Sequence, residues 1–200
     1  IKTVGHSSHP IGRFVELLQA AGVERLVDVR STPWSRRHPQ FGKEALAKAL
    51  AEAGIGCLHE GAALGGKPAA GGSYDALAAR PAFTAALGRV VAAAKDTTLC
   101  LMCAEKEPMD CHRTVLVSRR LAERGVAVEH LLADGTVRSH LEIEEMLLGG
   151  ESAGDLFDAG CLPPEIIPGL LDGTDHERDL PVEFGPRGLG LGVGDVARFG

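Results

Sequence analysis

The sequence predicts an α/β protein with three αβα layers, in which helices cover both faces of a mostly parallel central sheet of about five strands. Two observations lead to this fold class. Over the first 148 residues, short aliphatic and β-branched runs alternate with longer amphipathic runs, which is typical of repeated βαβ units. Each short run is also almost continuously apolar, as in strands buried on both faces of a parallel sheet.

The apolar runs predict the elements in order. Strands are predicted at residues 2–5, 25–29, 56–59, 98–103 and 127–131, and helices at 10–21, 43–53, 74–94 and 110–123. Gly22 and Gly54 directly follow the first two helices, where glycine commonly ends a helix. Pro81 should break the third helix. Asp110 is positioned to N-cap the fourth.

The C-terminal quarter differs in composition, because glycine and proline are frequent from Gly149 onward. We therefore predict one domain over residues 1–148 and an irregular, Gly/Pro-rich extension over residues 149–200. This extension would pack on the domain or on a partner, and it offers one way to form a homo-oligomer.

The bulk composition limits the class of protein. Of 200 residues, 44% are hydrophobic and 24% charged, which is ordinary for a globular protein. No apolar run approaches the roughly 20 residues of a membrane-spanning helix, so we expect a cytoplasmic protein without membrane contact. The five cysteines form an odd set, which we interpret as reduced thiols. The net charge of −6 argues against non-specific coating of nucleic acid.

Unusual polar residues follow four of the predicted strands. Because ligands bind beyond the carboxyl ends of parallel strands, these residues are expected to form one site. They include His6, Asp28, Arg30, Ser31, Trp34, Arg36, Arg37, His59, Cys103, Glu105, Cys111, His112 and Arg113.

The segment LCLMCAEKEPMDCHR, residues 99–113, is the most informative. Cys111 falls in the first turn of the predicted helix, where free N–H groups and the helix dipole lower a thiol pKa. Cys111 is therefore the predicted nucleophile, with His112 as acid or base and Cys103 and Glu105 beside it. The alternative is that Cys111 is only a small buried residue.

The segment VDVRSTPWSRRHPQF, residues 27–41, carries three arginines. Arg30, Arg36 and Arg37 could bind phosphate or sulfate oxygens, together with Arg113 and Ser31. Trp34 could stack on a base or ring. Alternatively, Asp28 pairs with Arg30, and the other two arginines are solvated.

His6 follows the first strand in the small-residue turn GHSS. Acid–base work suits a histidine in this place, and Asp28 could orient it or receive a proton. His6, His59, Cys103 and Cys111 could also ligate a metal, but their spacing matches no standard metal motif, so no metal ligand is assigned. The sequence identifies no cofactor.

Four motifs in this order resemble the domain of unknown function 488 (DUF488) family. They are TVGHSS, VDVRSTPWSRRHPQF, LGG at residues 64–66 and LCLMCAEKEPMDCHR. The resemblance covers roughly residues 1–140. It implies a compact α/β domain and a bacterial or archaeal cytosolic protein, without an established activity. The characteristic positions are His6, Asp28, Arg30, Ser35, Arg36, Arg37, Pro39, Phe41, Gly65, Gly66, Cys103, Glu105, Cys111, His112 and Arg113.

These observations favour an enzyme, a thiol-dependent hydrolase or transferase that binds a phosphorylated or other anionic substrate, a nucleotide or nucleic-acid end being one candidate. Two alternatives stay open. One is a non-catalytic regulatory module that binds a nucleotide or nucleic acid, and the other is a metal-binding protein that uses His and Cys ligands.

Overall fold

The structure is a computed structural model that describes residues 1–68 and 72–148. The strands are β1 (Lys2–Gly5), β2 (Arg25–Asp28), β3 (Gly56–His59), β4 (Leu99–Cys103), β5 (Glu129–Leu131) and β6 (Val137–Ser139). The helices are α1 (Ile11–Ala20), α2 (Lys43–Glu52), α3 (Gly61–Leu64), α4 (Tyr74–Ala78), α5 (Pro81–Ala93), α6 (Arg119–Ala122) and α7 (His140–Leu147). A π-helical turn, Arg113–Ser118, leads directly into α6.

The six strands form one sheet in the order β3-β2-β4-β1-β5-β6. The first five in this order are parallel, and β6 is antiparallel to β5. In this register Gly5 lies opposite Cys103, and Asp28 lies opposite His59 and Met102. The carboxyl ends of β1 to β4 therefore meet at one edge of the sheet.

Apolar side chains cover both faces of the sheet, and β4 shows how one strand serves both. Leu99, Leu101 and Cys103 belong to a core that includes α5 and α6, whereas Cys100 and Met102 belong to a second core that includes α1 and α2. Since successive side chains of a strand point to opposite faces, the sheet is the middle of three layers. The predicted α/β fold class is confirmed.

The structure contains elements that the pattern did not predict, among them the short helix α3, strand β6 and helix α7. Strand β6 is three residues long and exposed throughout, so it has no apolar signature. Helix α7 begins with a capping box between Ser139 and Glu142. The break at Pro81 is confirmed, because α4 ends at Ala78 and α5 starts with this proline.

The helix predicted at residues 110–123 begins later and is wound differently. Asp110 does not cap it: His112 precedes its first residue, Arg113, and no side chain caps this end. The first six residues form a π-helix, which is rare and often occurs at functional sites.

The prediction of an extension over residues 149–200, and of a partner for it, lies outside the described residues. Within the described part of the chain, no helix has the length and apolar character needed to cross a membrane.

Candidate thiol site

The loop after β4 folds back on the strand end and forms the thiol cluster, which consists of Cys103, Glu105, Cys111 and His112. The S–H of Cys103 lies 2.9 Å from Oε2 of Glu105, and Sγ of Cys111 lies 3.1 Å from the same oxygen. Nδ1 of His112 is 3.4 Å from Sγ of Cys103. Cys111 is only 1% exposed, whereas Glu105 lies at the surface. The cluster is therefore a buried pair of thiols under an exposed carboxylate.

His112 presents a defined nitrogen to the sulfurs. Its Nε2–H donates to the carbonyl of Val29 at 3.2 Å, so that Nδ1 faces the cluster. Although burial acts in the opposite direction, interaction with Cys111 raises the pKa of His112. The imidazole can thus accept a proton from a thiol or, when protonated, stabilise a thiolate.

The two thiols lie in the same cluster but have different pKa values. Contact with the thiol of Cys103 lowers the pKa of Cys111 against the effect of burial, with further help from His112 and the charge of Arg113. The same contact, together with burial, raises the pKa of Cys103. Cys111 is therefore the sulfur that ionises first.

Arg113 is fully buried and has no carboxylate partner among the described residues. Its Nη1 donates to the carbonyl of Glu105 at 2.7 Å and its Nη2 to that of Lys106 at 3.2 Å. Its backbone N–H points at Sγ of Cys111, 3.5 Å away. A buried cation is costly without a nearby anion, so this guanidinium favours a thiolate at Cys111.

Two glycines permit this packing. A Cβ at Gly66 would lie 2.3 Å from Cγ of His112, and a Cβ at Gly5 would lie 1.8 Å from the carbonyl oxygen of Glu105. No side chain fits at either place, so the LGG segment packs against the imidazole, and the end of β1 packs against the loop that binds Arg113.

A second group, the Asp28–Arg30 network, lies at the end of β2. Arg30 makes a bidentate bond to Asp28, with Nε 2.9 Å from Oδ1 and Nη2 2.7 Å from Oδ2. Nη2 also donates to the carbonyl of Phe41, and Nη1 donates to Nε2 of His6 at 3.1 Å. Both charged side chains are buried. Arg30 is thus occupied by protein partners, which corresponds to the alternative that pairs it with Asp28.

His6 is a neutral member of this network. Its Nδ1–H donates to the carbonyl of Ser7, and its ring stacks on Phe41 with centroids 4.2 Å apart. Burial lowers the pKa of His6 to about 4. His59 similarly contacts the carbonyl of Arg30, so neither histidine joins the thiol cluster.

The loop after β2 carries the exposed candidates. Trp34 is 59% exposed, and the guanidinium of Arg36 lies 5.7 Å from its ring centroid. Arg36 and Arg37 are exposed, and neither pairs with a carboxylate among the described residues. Ser31 instead accepts a hydrogen bond from the backbone N–H of Lys67, which fastens the LGG segment.

The strand ends thus bring the predicted residues to one edge of the sheet, but as two groups. The backbone links them, because His6 N–H donates to the carbonyl of Cys103 and His112 donates to that of Val29. Within residues 1–68 and 72–148, no side-chain hydrogen bond joins Asp28 or His6 to a thiol.

The sequence identified only part of a possible metal-ligand set, because Glu105 and His112 were not considered for this role. The donor atoms of Cys103, Glu105, Cys111 and His112 all lie within 4.8 Å of one another, close enough to share a metal ion. Of the four residues considered as metal ligands from the sequence, Cys103 and Cys111 belong to this group, whereas His6 and His59 bind elsewhere. The useful signal was the Cys-x-Glu at a strand end followed by Cys-His before a helix.

The comparisons place the chain in a family. A family model described as domain of unknown function DUF488 matches residues 10–120, more than half of the chain. Comparison with curated proteins and with solved structures gave no significant match. The chain belongs to the DUF488 family.

Proposed function

We propose that this DUF488 protein is a thiol-dependent hydrolase or transferase for a phosphorylated or other anionic substrate, with Cys111 as nucleophile. One observation carries the proposal: Cys111 accepts the backbone N–H of Arg113, a residue whose fully buried guanidinium lacks a carboxylate partner in the described chain. A thiolate is the reactive form of cysteine, and a neighbouring cation and helix N–H groups stabilise it.

Cys111 and His112 are the two ionisable groups of the proposed reaction. The sulfur of Cys111 would attack an electrophilic acyl or phosphoryl centre and form one bond to it. The leaving group would depart with its electron pair and take a proton from His112. Water, or a second acceptor in a transferase, would then displace the sulfur and return a proton to His112. The thiolate and imidazolium are regenerated, so the steps balance.

The substrate contacts are assigned to the exposed loop. Arg36 and Arg37 are available to bind anionic oxygens, whereas Arg30 and Arg113 are occupied by protein partners. A cytoplasmic location, where thiols are kept reduced, would suit this chemistry.

Turnover of activated esters tests the proposal. The protein should release p-nitrophenol from p-nitrophenyl acetate or phosphate, with a covalent adduct mapped to Cys111 by peptide mass. Cys111→Ser should abolish both, and Cys57→Ser should change neither, because Cys57 lies on the edge strand β3. Release that persists in Cys111→Ser, or an adduct only on another residue, contradicts the assignment.

The exposure of Trp34 favours a second candidate, a module that binds nucleotides or single-stranded nucleic acid without catalysis. An exposed aromatic ring beside arginines suits base stacking. Because Trp34 is the only tryptophan, its fluorescence reports binding directly. Oligonucleotides should quench it in the wild type and not in an Arg36→Ala, Arg37→Ala double variant. Equal quenching in both would contradict this candidate.

A further inference from the structure

We propose that the thiol cluster binds one transition-metal ion of the zinc class, and that this ion blocks Cys111. The donor set is two sulfurs, one imidazole nitrogen and one carboxylate oxygen, all within 4.8 Å of one another. Zinc bonds of about 2.0–2.3 Å to such ligands give a tetrahedron with edges of about 3.3–3.8 Å. The contacts of 2.9, 3.1 and 3.4 Å in the cluster require only small movements to reach this geometry.

The orientation of His112 supports a metal ligand independently of these distances. Its Nε2–H donates to the Val29 carbonyl, which leaves Nδ1 facing the sulfurs. Metal-ligating histidines usually bind a backbone carbonyl or carboxylate through their other nitrogen, since this fixes the ring and the tautomer. Gly66 contributes by allowing the chain to pack against the ring.

The charges support the same site. Two thiolates and the carboxylate of Glu105 carry three negative charges, and a divalent ion leaves one uncompensated. Arg113 has no carboxylate partner in the described chain, and its buried guanidinium donates to the backbone carbonyl of Glu105, so a positive charge lies next to the cluster and can neutralise the remaining negative charge. Mg²⁺ and Ca²⁺ prefer oxygen ligands, so a donor set with two sulfurs discriminates against them.

The claim that the ion blocks Cys111 rests on the proposed function, whereas the claim that the cluster binds an ion does not. A sulfur that donates its electron pair to zinc is a poorer nucleophile, so the loaded protein should be inactive. Glu105 is exposed and can leave the ion more readily than the buried sulfurs. Release of the metal would then restore the thiolate.

Cobalt titration tests the binding. The full chain is reduced, treated with EDTA and titrated with CoCl₂. Tetrahedral Co²⁺ bands and sulfur-to-cobalt charge transfer should appear at one ion per chain, and zinc but not Mg²⁺ should remove them. Cys57→Ser should keep the spectrum. Cys103→Ser should lose the charge-transfer intensity of one sulfur, and Glu105→Gln, which changes only a surface side chain, should weaken binding by at least about tenfold.

Alkylation with and without zinc separates the two proposals. Zinc should protect Cys103 and Cys111, but not Cys57, from iodoacetamide. If cobalt binds but Cys111 is unreactive in the metal-free chain, the metal site stands and the thiol enzyme is rejected. If Cys111 is reactive but cobalt does not bind, the thiol enzyme stands and the metal site is rejected. A cobalt spectrum without thiolate charge transfer, or one unchanged in both Cys103→Ser and Glu105→Gln, overturns the metal site.

Discussion

At the residue scale, the contacts of one imidazole, that of His112, hold the thiol cluster together. His112 is held by the Val29 carbonyl on one nitrogen and faces Cys103 with the other. The ring has little room to move, because Gly66 packs against its Cβ, Cγ and Cδ2. The second glycine of the LGG motif, Gly66, therefore has a direct structural reason in this site.

Gly66→Ala tests this packing. The added methyl would lie 2.3 Å from His112, and its displacement should cost about 1–3 kcal/mol of unfolding free energy and slow alkylation of Cys111. Gly88→Ala is the matched control. Its Cβ would meet nothing within 4 Å in the middle of α5, so this variant should gain about 0.5–1 kcal/mol. Urea unfolding measures both, and equal effects would contradict the assigned packing.

The sequence alone could not show that Arg30 and Arg113 are buried and bonded to protein groups. Arg30 and Arg113 were predicted as substrate ligands because the guanidinium group suits anions, and the pairing of Arg30 with Asp28 was the alternative. Their burial depends on the Asp28 carboxylate and on carbonyls of the loop after β4, which come together only in the fold. By contrast, the thiols and His112 were identified, because two cysteines and a histidine around a strand-to-helix loop form a local pattern.

At the scale of the elements, the π-helical turn is the feature that propensity did not predict. It contains two buried hydroxyls, Thr114 and Ser118, whose oxygens have no hydrogen-bond partner among the described residues. Burying a hydroxyl without a partner costs free energy. This turn is therefore a locally unfavourable segment next to the thiol cluster, as π-helical turns at functional sites often are.

A pair of Ser→Ala variants compares this turn with an ordinary helix end. Ser118→Ala removes an unpartnered buried hydroxyl and should be neutral or stabilising by about 1 kcal/mol. Ser139→Ala removes the N-cap of α7, which accepts from Glu142 N–H, and should cost about 1 kcal/mol. Chemical denaturation measures both, and a marked loss of stability in Ser118→Ala would show that its hydroxyl is bonded.

Strands and helix ends were predictable where the local signal was strong. The buried strands β1 and β4 are short apolar runs, and the glycines after α1 and α2 adopt positive φ, as glycines near helix ends do. Strand β6 was not predictable, because three exposed residues pair with β5 through backbone alone.

At the scale of the whole molecule, two buried neutral histidines link stability to pH. Burial lowers the pKa of His6 to about 4 and that of His130 to about 3, both from 6.5. His130 lies in a chain of bonds between Thr3 and His140. Each histidine takes up a proton only when the chain unfolds, so acid favours the unfolded state.

Stability should therefore be full above pH 6.5 and fall as the pH is lowered toward 4. His6 alone should account for about 3 kcal/mol across this interval. Urea unfolding at several pH values should show a shallower dependence in His6→Gln and in His130→Gln than in the wild type. If both variants kept the wild-type slope, the histidines would not be the groups that titrate.

The most direct test of the thiol site is a competition between cysteines in the reduced, metal-free chain. Cys57 is an exposed residue whose thiol pKa is raised by partial loss of hydration and by the charge of Asp28, whereas Cys111 is buried with a lowered pKa. Iodoacetamide labelling at pH 6–7, resolved by peptide mass, should modify Cys111 before Cys57 if thiolate character governs reactivity. Labelling of Cys57 first, with Cys111 unmodified throughout, would show that no reactive thiolate exists at the end of β4.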